Sequence, residues 1–282
     1  MSRRITRKEF LSATSKTILV ASAGIAAGSV VSAGVASASG GQLGKAGAIN
    51  TAAATWPWPY TKLDRDDVRK RGHKGYYDGG CCYGAFNALL EPLTESVGDP
   101  YTRVPPQMMY YGGGGGAGWG TLCGALNGAA ALISLVVNKA NATAIISELF
   151  GWYTETGFPS DLSSDFAQQH LFLVNKYDKP LPQSVSDSPL CHVSVSSWCA
   201  ATGIKSTDPA RLERCARLTA DVAAKSVDLL NAFASSQFKP TFVPAQTVTG
   251  CASCHSSAIG NVEAGVKMDC QTCHKDNWRH LF

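Results

Sequence analysis

The chain has 282 residues, of which 45% are hydrophobic and 16% are charged, with ten cysteines and six histidines. This composition supplies an ordinary hydrophobic core and excludes a disordered chain. The formal net charge is +4, but the first 38 residues hold five basic side chains and one acidic one, so the other 244 carry 20 of each sign. A neutral remainder has no electrostatic footprint for nucleic acid, which excludes that class of partner.

Residues 1–38 are typical of an export signal. A basic start precedes the weakly apolar stretch Thr17 to Ala36, and Ala36-Ser37-Ala38 is a small-residue site after which we expect cleavage. Because this stretch consists mainly of Ala, Gly and Ser, it favours a cleaved signal over a membrane anchor. No other stretch is long and apolar enough to span a bilayer, so we expect no membrane span in the mature chain. The first eleven residues, with Arg3-Arg4 near their start, resemble a twin-arginine signal. The resemblance implies a periplasmic protein exported after folding.

Residues 39–63 are predicted to be a linker, ordered where Trp56 and Trp58 find a packing surface. A helical core domain follows over residues 64–238. It begins with a short charged helix from Asp64 to Arg71 and a buried helix from Cys81 to Leu90, which we expect to end before Pro92.

A five-glycine run then leads to Cys123 and to an apolar helix that reaches Val137, and Ala142 to Tyr153 predicts another helix. The polar stretch Asp161 to Ser188 is expected to be surface loop with short helical pieces. The clearest helix starts at Pro209, behind Thr207 or Asp208 as cap, and its helical spacing turns Cys215 to the interior. No alternating pattern indicates a sheet, so the chain is predicted to be mainly α.

Residues 239–282 have too few aliphatic side chains for a core, so a cofactor must organise them. They contain Cys251-Ala252-Ser253-Cys254-His255 and Cys270-Gln271-Thr272-Cys273-His274, two copies of the c-type haem attachment motif. The four cysteines would form the thioethers, and His255 and His274 would be the proximal iron ligands. The cysteine spacing also fits a zinc site, but the histidine after each pair and the export signal favour haem.

His255 and His274 are 19 residues apart, so the two haems must lie close together and exchange electrons rapidly. Candidates for the distal haem ligands are His280, near the second motif, and His73 in the core domain. Either histidine could instead be an ordinary surface or core residue.

Six cysteines remain outside the haem motifs: Cys81, Cys82, Cys123, Cys191, Cys199 and Cys215. In an oxidising compartment they could form up to three disulfides. The alternative is an iron-sulfur cluster held by four thiolates from distant segments, with glycines near Cys123 that let backbone amides approach the cluster.

The segment Cys123-Gly124-Ala125-Leu126-Asn127-Gly128 resembles the Cys-Gly-Ala-x-x-Gly motif of a redox-active family with four characteristic cysteines. That core, with Cys82 to Phe86, Leu190 to Ser194 and the two haem motifs, resembles the split-Soret cytochromes c from about Gly72 onward. The resemblance implies a homodimer in which each subunit has two bis-histidine c-type haems and a two-iron two-sulfur cluster in a helical core.

Transferred to this chain, the family's four cysteines fall on Cys82, Cys123, Cys215 and Cys191, with Cys199 as the alternative to Cys191. The fold expected from the resemblance is a helical iron-sulfur core followed by an irregular dihaem segment. The predicted function is electron transfer with periplasmic redox proteins. The alternative is a small haem-dependent reductase or peroxidase with one open coordination position.

Overall fold

The computed structural model describes residues 54–246, 248–249, 267–269 and 271. Within these ranges the regular elements are helices, and the β-structure consists of two isolated bridges. The prediction of a mainly α protein is confirmed. The α-helices are α1 (Arg65–Val97), α2 (Gly124–Val136), α3 (Lys139–Glu155), α4 (Asp161–Gln168), α5 (Cys191–Thr202) and α6 (Pro209–Ala234). Two 3-10 turns, Tyr101–Arg103 and Pro106–Gly112, lie between α1 and α2.

Helix α1 is folded back on itself at Gly80, whose φ of 85° and ψ of 176° are not helical. In a continuous helix, Arg71 and Glu95 would be about 36 Å apart. Instead, Arg71 Nη1 donates to Glu95 Oε1 at 2.8 Å. The two halves cross at Gly75 and Gly84, where a Cβ on Gly75 would lie 2.7 Å from the Gly84 Cα. The segment Asp78-Gly79-Gly80 thus forms the tip of a helical hairpin, whereas the sequence predicted only the start of a helix after it.

The main core lies between the α1 hairpin, α2, α3 and α6. Phe86, Leu126, Ile145 and Val222 are each at most 1% exposed and represent these four elements. Helix α6 begins as its sequence predicts, with Pro209 in the first turn and Asp208 Oδ1 accepting from the Ala210 amide at 2.8 Å. The cap and the apolar stripe therefore fix this helix in both its start and its rotation.

Three local expectations differ from the structure. Helix α1 passes Pro92 and continues to Val97, since the packing of its second half outweighs one missing backbone hydrogen bond. The stretch from 161 to 188 contains the short helix α4, as expected, but Phe166 and Phe172 are buried against Ala220, so the stretch does not lie wholly at the surface. Helix α5 was not predicted.

The start of the described chain is anchored on the core. Trp56 Nε1 donates to Ser134 O at 2.8 Å, and the Trp58 ring packs edge-on against Tyr101 with centroids 5.3 Å apart. The two tryptophans therefore find the packing surface that the sequence leads us to expect. No helix in the described ranges is sufficiently long and apolar to cross a membrane.

Candidate metal centre

Cys123 and Cys191 lie side by side because the segments that precede them pair with each other. Leu122 and Leu190 form an antiparallel bridge. On either side of it, Cys123 N donates to Pro189 O at 2.9 Å, and Cys191 N donates to Thr121 O at 2.7 Å. Cys123 is the N-cap of α2 and Cys191 is the first residue of α5. Both thiols therefore stand at helix N-termini, where unpaired backbone N–H groups favour negative charge.

Cys81 follows directly after Gly80 at the tip of the α1 hairpin. A Cβ added to Gly124 would collide with Cys81 Sγ, so this thiol lies against the first turn of α2, next to Cys123. The backbone amide of Gly114, in the glycine-rich loop, also faces the Cys81 thiol. Three thiols from separate segments thus meet at one end of the helical core.

Cys215, in the second turn of α6, completes the group. Tyr76 lies beside it: burial raises the pKa of Tyr76, and Cys215, Cys81 and Cys191 add to the rise. Arg211, one turn earlier on α6, lies next to Cys215. The group of Cys81, Cys123, Cys191 and Cys215 is called the thiol cluster below.

The thiol cluster is electrostatically coupled. Burial raises the pKa of Cys191 to about 12, with Cys123 and Cys215 adding to the rise and Arg214 and Arg211 opposing it. Burial raises the pKa of Cys81, and Cys123 and Cys215 raise it further. Burial also raises the pKa of Cys123. These three thiols are therefore protonated at neutral pH unless a metal displaces their protons.

The sequence-based set named Cys82, whereas in the structure Cys81 rather than Cys82 joins the other three. Cys82 is fully buried on another side of the hairpin, where its Sγ lies so close to Gly112 that a Cβ there would collide with it. Burial raises the pKa of Cys82 to about 11, with Cys123 adding to the rise. The positive φ at Gly80 reorients the chain here, which explains why the family resemblance did not distinguish the adjacent cysteines.

Cys199, the sequence-based alternative to Cys191, lies two turns further along α5, about 12 Å along the helix axis. It packs against the small apolar cluster of Leu181, Trp198 and Ala210. All six described cysteines have free thiols. The structure thus places Cys191, rather than Cys199, at the end of α5 that faces the thiol cluster.

One buried donor, Nε of Arg214, borders the thiol cluster next to Cys191 without a hydrogen-bond partner. The buried hydroxyl of Tyr153 faces the Cys123 thiol. Sulfur atoms of an iron-sulfur cluster accept hydrogen bonds of this kind. In the described part of the chain no three His, Cys, Asp or Glu side chains are gathered tightly enough to hold one metal ion together. In a two-iron cluster bound by four cysteines, each iron takes two thiolates, so the residues present fit that group.

His73, a candidate distal haem ligand, lies in the core. His73 is 1% exposed. Its Nε2 lies 3.0 Å from Glu213 Oε1, and its ring stacks on Phe172 with centroids 3.8 Å apart. The same Glu213 carboxylate accepts from Arg217 Nε at 2.8 Å. His73 is therefore held in a buried polar network, and its assignment as a distal haem ligand stays a prediction.

The other haem assignments lie outside the described residues: Cys251, Cys254, His255, Cys270, Cys273, His274 and His280. The segment just before the second haem motif is described, and it contacts the core. Lys267 Nζ donates to Ser147 Oγ at 2.6 Å, and Ser188 Oγ donates to Met268 Sδ at 3.5 Å. Ser188 lies three residues before Cys191, so this contact is close in sequence to both the second haem motif and the thiol cluster.

A helical core with four clustered thiols is the arrangement expected of a cysteine-based redox protein. The family model described as "Putative redox-active protein (C_GCAxxG_C_C)" matches residues 83–229, a range that includes Cys123, Cys191 and Cys215. The class of protein is therefore redox-active.

The chain is 37% identical over 234 residues to split-Soret cytochrome c of Desulfovibrio desulfuricans, a match that covers 81% of each chain. A solved structure of the split-Soret cytochrome c from D. desulfuricans ATCC 27774, described as having a novel iron centre, matches with a TM-score of 0.70 and 39% identity. That match covers 77% of this chain and 90% of the other. The chain belongs to the split-Soret cytochrome c family, as its motifs predict, and this kinship makes it an electron-transfer protein.

Proposed function

We propose that the chain is an exported periplasmic electron carrier that binds two c-type haems and one two-iron two-sulfur cluster. The observation that carries the proposal is the convergence of Cys81, Cys123, Cys191 and Cys215 from four segments of the core, in a chain that also has two haem attachment motifs. The name cytochrome and the novel iron centre of the D. desulfuricans protein support both kinds of cofactor.

The thiol cluster would hold the iron-sulfur group, which when bound supplies one-electron transfer. The chain's own contribution is a preorganised site. Three of the four thiols stand at helix starts, at Cys81, Cys123 and Cys191. The loop from Gly112 to Gly120 covers them and brings backbone amides close, because a Cβ at Gly115 would approach Cys191 Cβ to 2.8 Å. The site therefore replaces water by fixed N–H dipoles.

The C-terminal segment would hold the haems, through the thioethers of Cys251, Cys254, Cys270 and Cys273 and the proximal ligands His255 and His274, with His280 as the proposed distal ligand. Met268 precedes Cys270 by two residues, a span of at most about 7 Å. The bond from Ser188 to Met268 therefore ties the second motif to the segment that carries Cys191. This connection supports electron exchange between the haem segment and the thiol cluster.

We also propose a homodimer and transfer to periplasmic redox proteins. The haem segment has few aliphatic side chains of its own, so a second copy would shield the haems from water. The formally neutral mature chain favours contact surfaces that do not depend on a strong net charge.

The first experiment uses adjacent cysteines as a matched pair. The holoprotein is purified from its export compartment as wild type, Cys81→Ala and Cys82→Ala, and iron, acid-labile sulfide and covalent haem are counted for each. We expect wild type to hold four irons and two sulfides per chain. Cys81→Ala should lose both sulfides and keep its haem, because it removes one of four ligands, whereas Cys82→Ala should retain the sulfides.

The pair Cys191→Ala and Cys199→Ala repeats the comparison on α5, with sulfide loss expected only at Cys191. Absence of acid-labile sulfide from wild type would refute the cluster, and absence of covalent haem would refute the cytochrome assignment. Sulfide loss at Cys82 together with sulfide retention at Cys81 would reverse the ligand assignment.

A further inference from the structure

Arg214 is a buried cation without a counter-ion among the described residues. Three arginines of the core, Arg69, Arg214 and Arg217, are at most 2% exposed. Arg69 pairs with Asp221, and Arg217 Nε lies 2.8 Å from a Glu213 oxygen. In the described part of the chain no carboxylate lies within ion-pair distance of Arg214. An unpaired buried charge is strongly unfavourable, so the native protein must supply a negative charge here.

The contacts of Arg214 show where that charge belongs. Its Nη2 donates to Ser194 Oγ at 2.9 Å, and its Nε has no hydrogen-bond partner. Ser194 lies one turn after Cys191 on α5, and Arg214 directly precedes Cys215 on α6. The positive charge of Arg214 acts on the thiol of Cys191 and on the hydroxyl of Tyr153. All these neighbours belong to the thiol cluster or border it.

We propose that Arg214 is the counter-charge of an iron-sulfur cluster and raises its reduction potential. This inference rests on the proposed function. Two ferric ions, two sulfides and four thiolates sum to a charge of −2, and one electron taken from an external donor makes it −3. A fixed buried cation stabilises the reduced form more than the oxidised form, since the attraction grows with the negative charge. Arg214 is thus a positioning and tuning residue rather than a ligand.

The test compares the holoprotein as wild type, Arg214→Met and Arg214→Lys in a dithionite titration followed by electron paramagnetic resonance of the reduced cluster. Methionine keeps an unbranched side chain but removes the charge, whereas lysine keeps the charge. We expect Arg214→Met to make reduction at least tenfold less favourable, a fall of about 59 mV for one electron. Arg214→Lys should recover most of that loss. Arg214→Gln, which keeps a polar amide without the charge, serves if the methionine variant does not accumulate, with the same fall expected.

Arg65→Met is the control, because Arg65 is also an arginine on the helical core but its pair with Asp228 is largely exposed. Its potential should match wild type. A second readout uses urea unfolding in the Cys81→Ala background, which should lack the cluster. There Arg214→Met should stabilise the chain, because it removes an uncompensated cation, whereas in the cluster-containing protein it should destabilise it. A purely structural arginine would destabilise both.

The outcomes separate this inference from the proposed function. A wild-type protein with acid-labile sulfide, in which Arg214→Met and Arg65→Met have the same potential, overturns the role of Arg214 and leaves the cluster in place. A wild-type protein without acid-labile sulfide overturns both.

Discussion

Gly124 gives a sharp test of how tightly the thiol cluster is packed. It is the first residue of α2, directly after Cys123. A Cβ at this position would lie 2.5 Å from Gly112 O and 3.0 Å from Cys82 N, and would also collide with Cys81 Sγ. Two of these neighbours are backbone atoms that cannot rotate away. The substitution Gly124→Ala must therefore move the α1 hairpin tip or the glycine-rich loop.

The expected magnitude is the difference of two effects. Alanine is the better helix former by about 1 kcal/mol, whereas overpacking typically costs about 1–3 kcal/mol. Because the Gly124 contacts involve backbone on two segments, we place the cost near the upper end, about 2–3 kcal/mol. The net loss of unfolding free energy is then about 1–2 kcal/mol, and the loss in melting temperature about 3–6 °C for a unit of this size.

The assay is urea unfolding of the holoprotein followed by far-UV circular dichroism, together with the sulfide count per chain. Gly113→Ala is the matched control, since Gly113 has a φ of −60° and a Cβ there would meet nothing nearer than Tyr110 O at 3.6 Å. Both substitutions reduce the freedom of the unfolded chain equally. Gly113→Ala should stay within about 0.5 kcal/mol of wild type. Equal stability of the two variants would show that the α2 start is not tightly packed, and would refute the reasoning.

Two further predictions concern the edges of the core. The Glu148 carboxylate accepts hydrogen bonds from Thr241 Oγ1 and, at 2.8 Å, from the Phe242 amide. Burial acts to raise the pKa of Glu148, but these hydrogen bonds and the charge of Lys225 outweigh burial, so the pKa is lowered. A carboxylate with a lowered pKa stabilises the folded chain above the unfolded-state pKa, and this stabilisation is lost as pH falls through the folded-state pKa. Hydrogen exchange at the 241 and 242 amides should therefore accelerate only below the ordinary glutamate pKa of 4.5. Glu148→Gln should remove that pH dependence, and Glu155→Gln should retain it. Trp198 is fully buried, and its Nε1 donates to Pro182 O at 2.7 Å. The substitution Trp198→Phe should lower the free energy of unfolding by about 1–3 kcal/mol, because the Pro182 carbonyl loses its donor and the smaller ring leaves a cavity. A urea midpoint equal to wild type would contradict this.

Sequence reasoning succeeded where the determinants are local. The Asp208 cap, Pro209 and the apolar spacing of α6 are all within one helix, and they placed its start and the side on which Cys215 meets the other thiols. The apolar run after Gly124 likewise predicted α2. In both helices the residues that decide the structure are neighbours along the chain, so no tertiary information was needed.

The misses have tertiary causes. Nothing local shows that the helix beyond Gly80 folds back beside the helix before it, and that reversal decides that Cys81, not Cys82, faces the other thiols. Helix α5 has β-branched and polar residues, no side-chain cap at Leu190 and a weak helical stripe, and its clearest local signal is the stop at Gly203 with a φ of 70°. The sequence does not distinguish Arg214 from the other arginines of α6, because the lack of a carboxylate beside it among the described residues is a property of the fold.

Helix α5 also shows how the thiol cluster and the fold depend on each other. Its buried side chains are Ser194 and Trp198, so its own packing contributes little to the core. It is held by Trp198, by the bridge from Leu122 to Leu190 and by the bond from Arg214 to Ser194. A ligand bond through Cys191 would connect this helix to α1, α2 and α6 at once, and metal binding of this kind contributes directly to folding free energy. A cluster bound as proposed would therefore fix the position of α5 more than the apolar burial of Trp198 does.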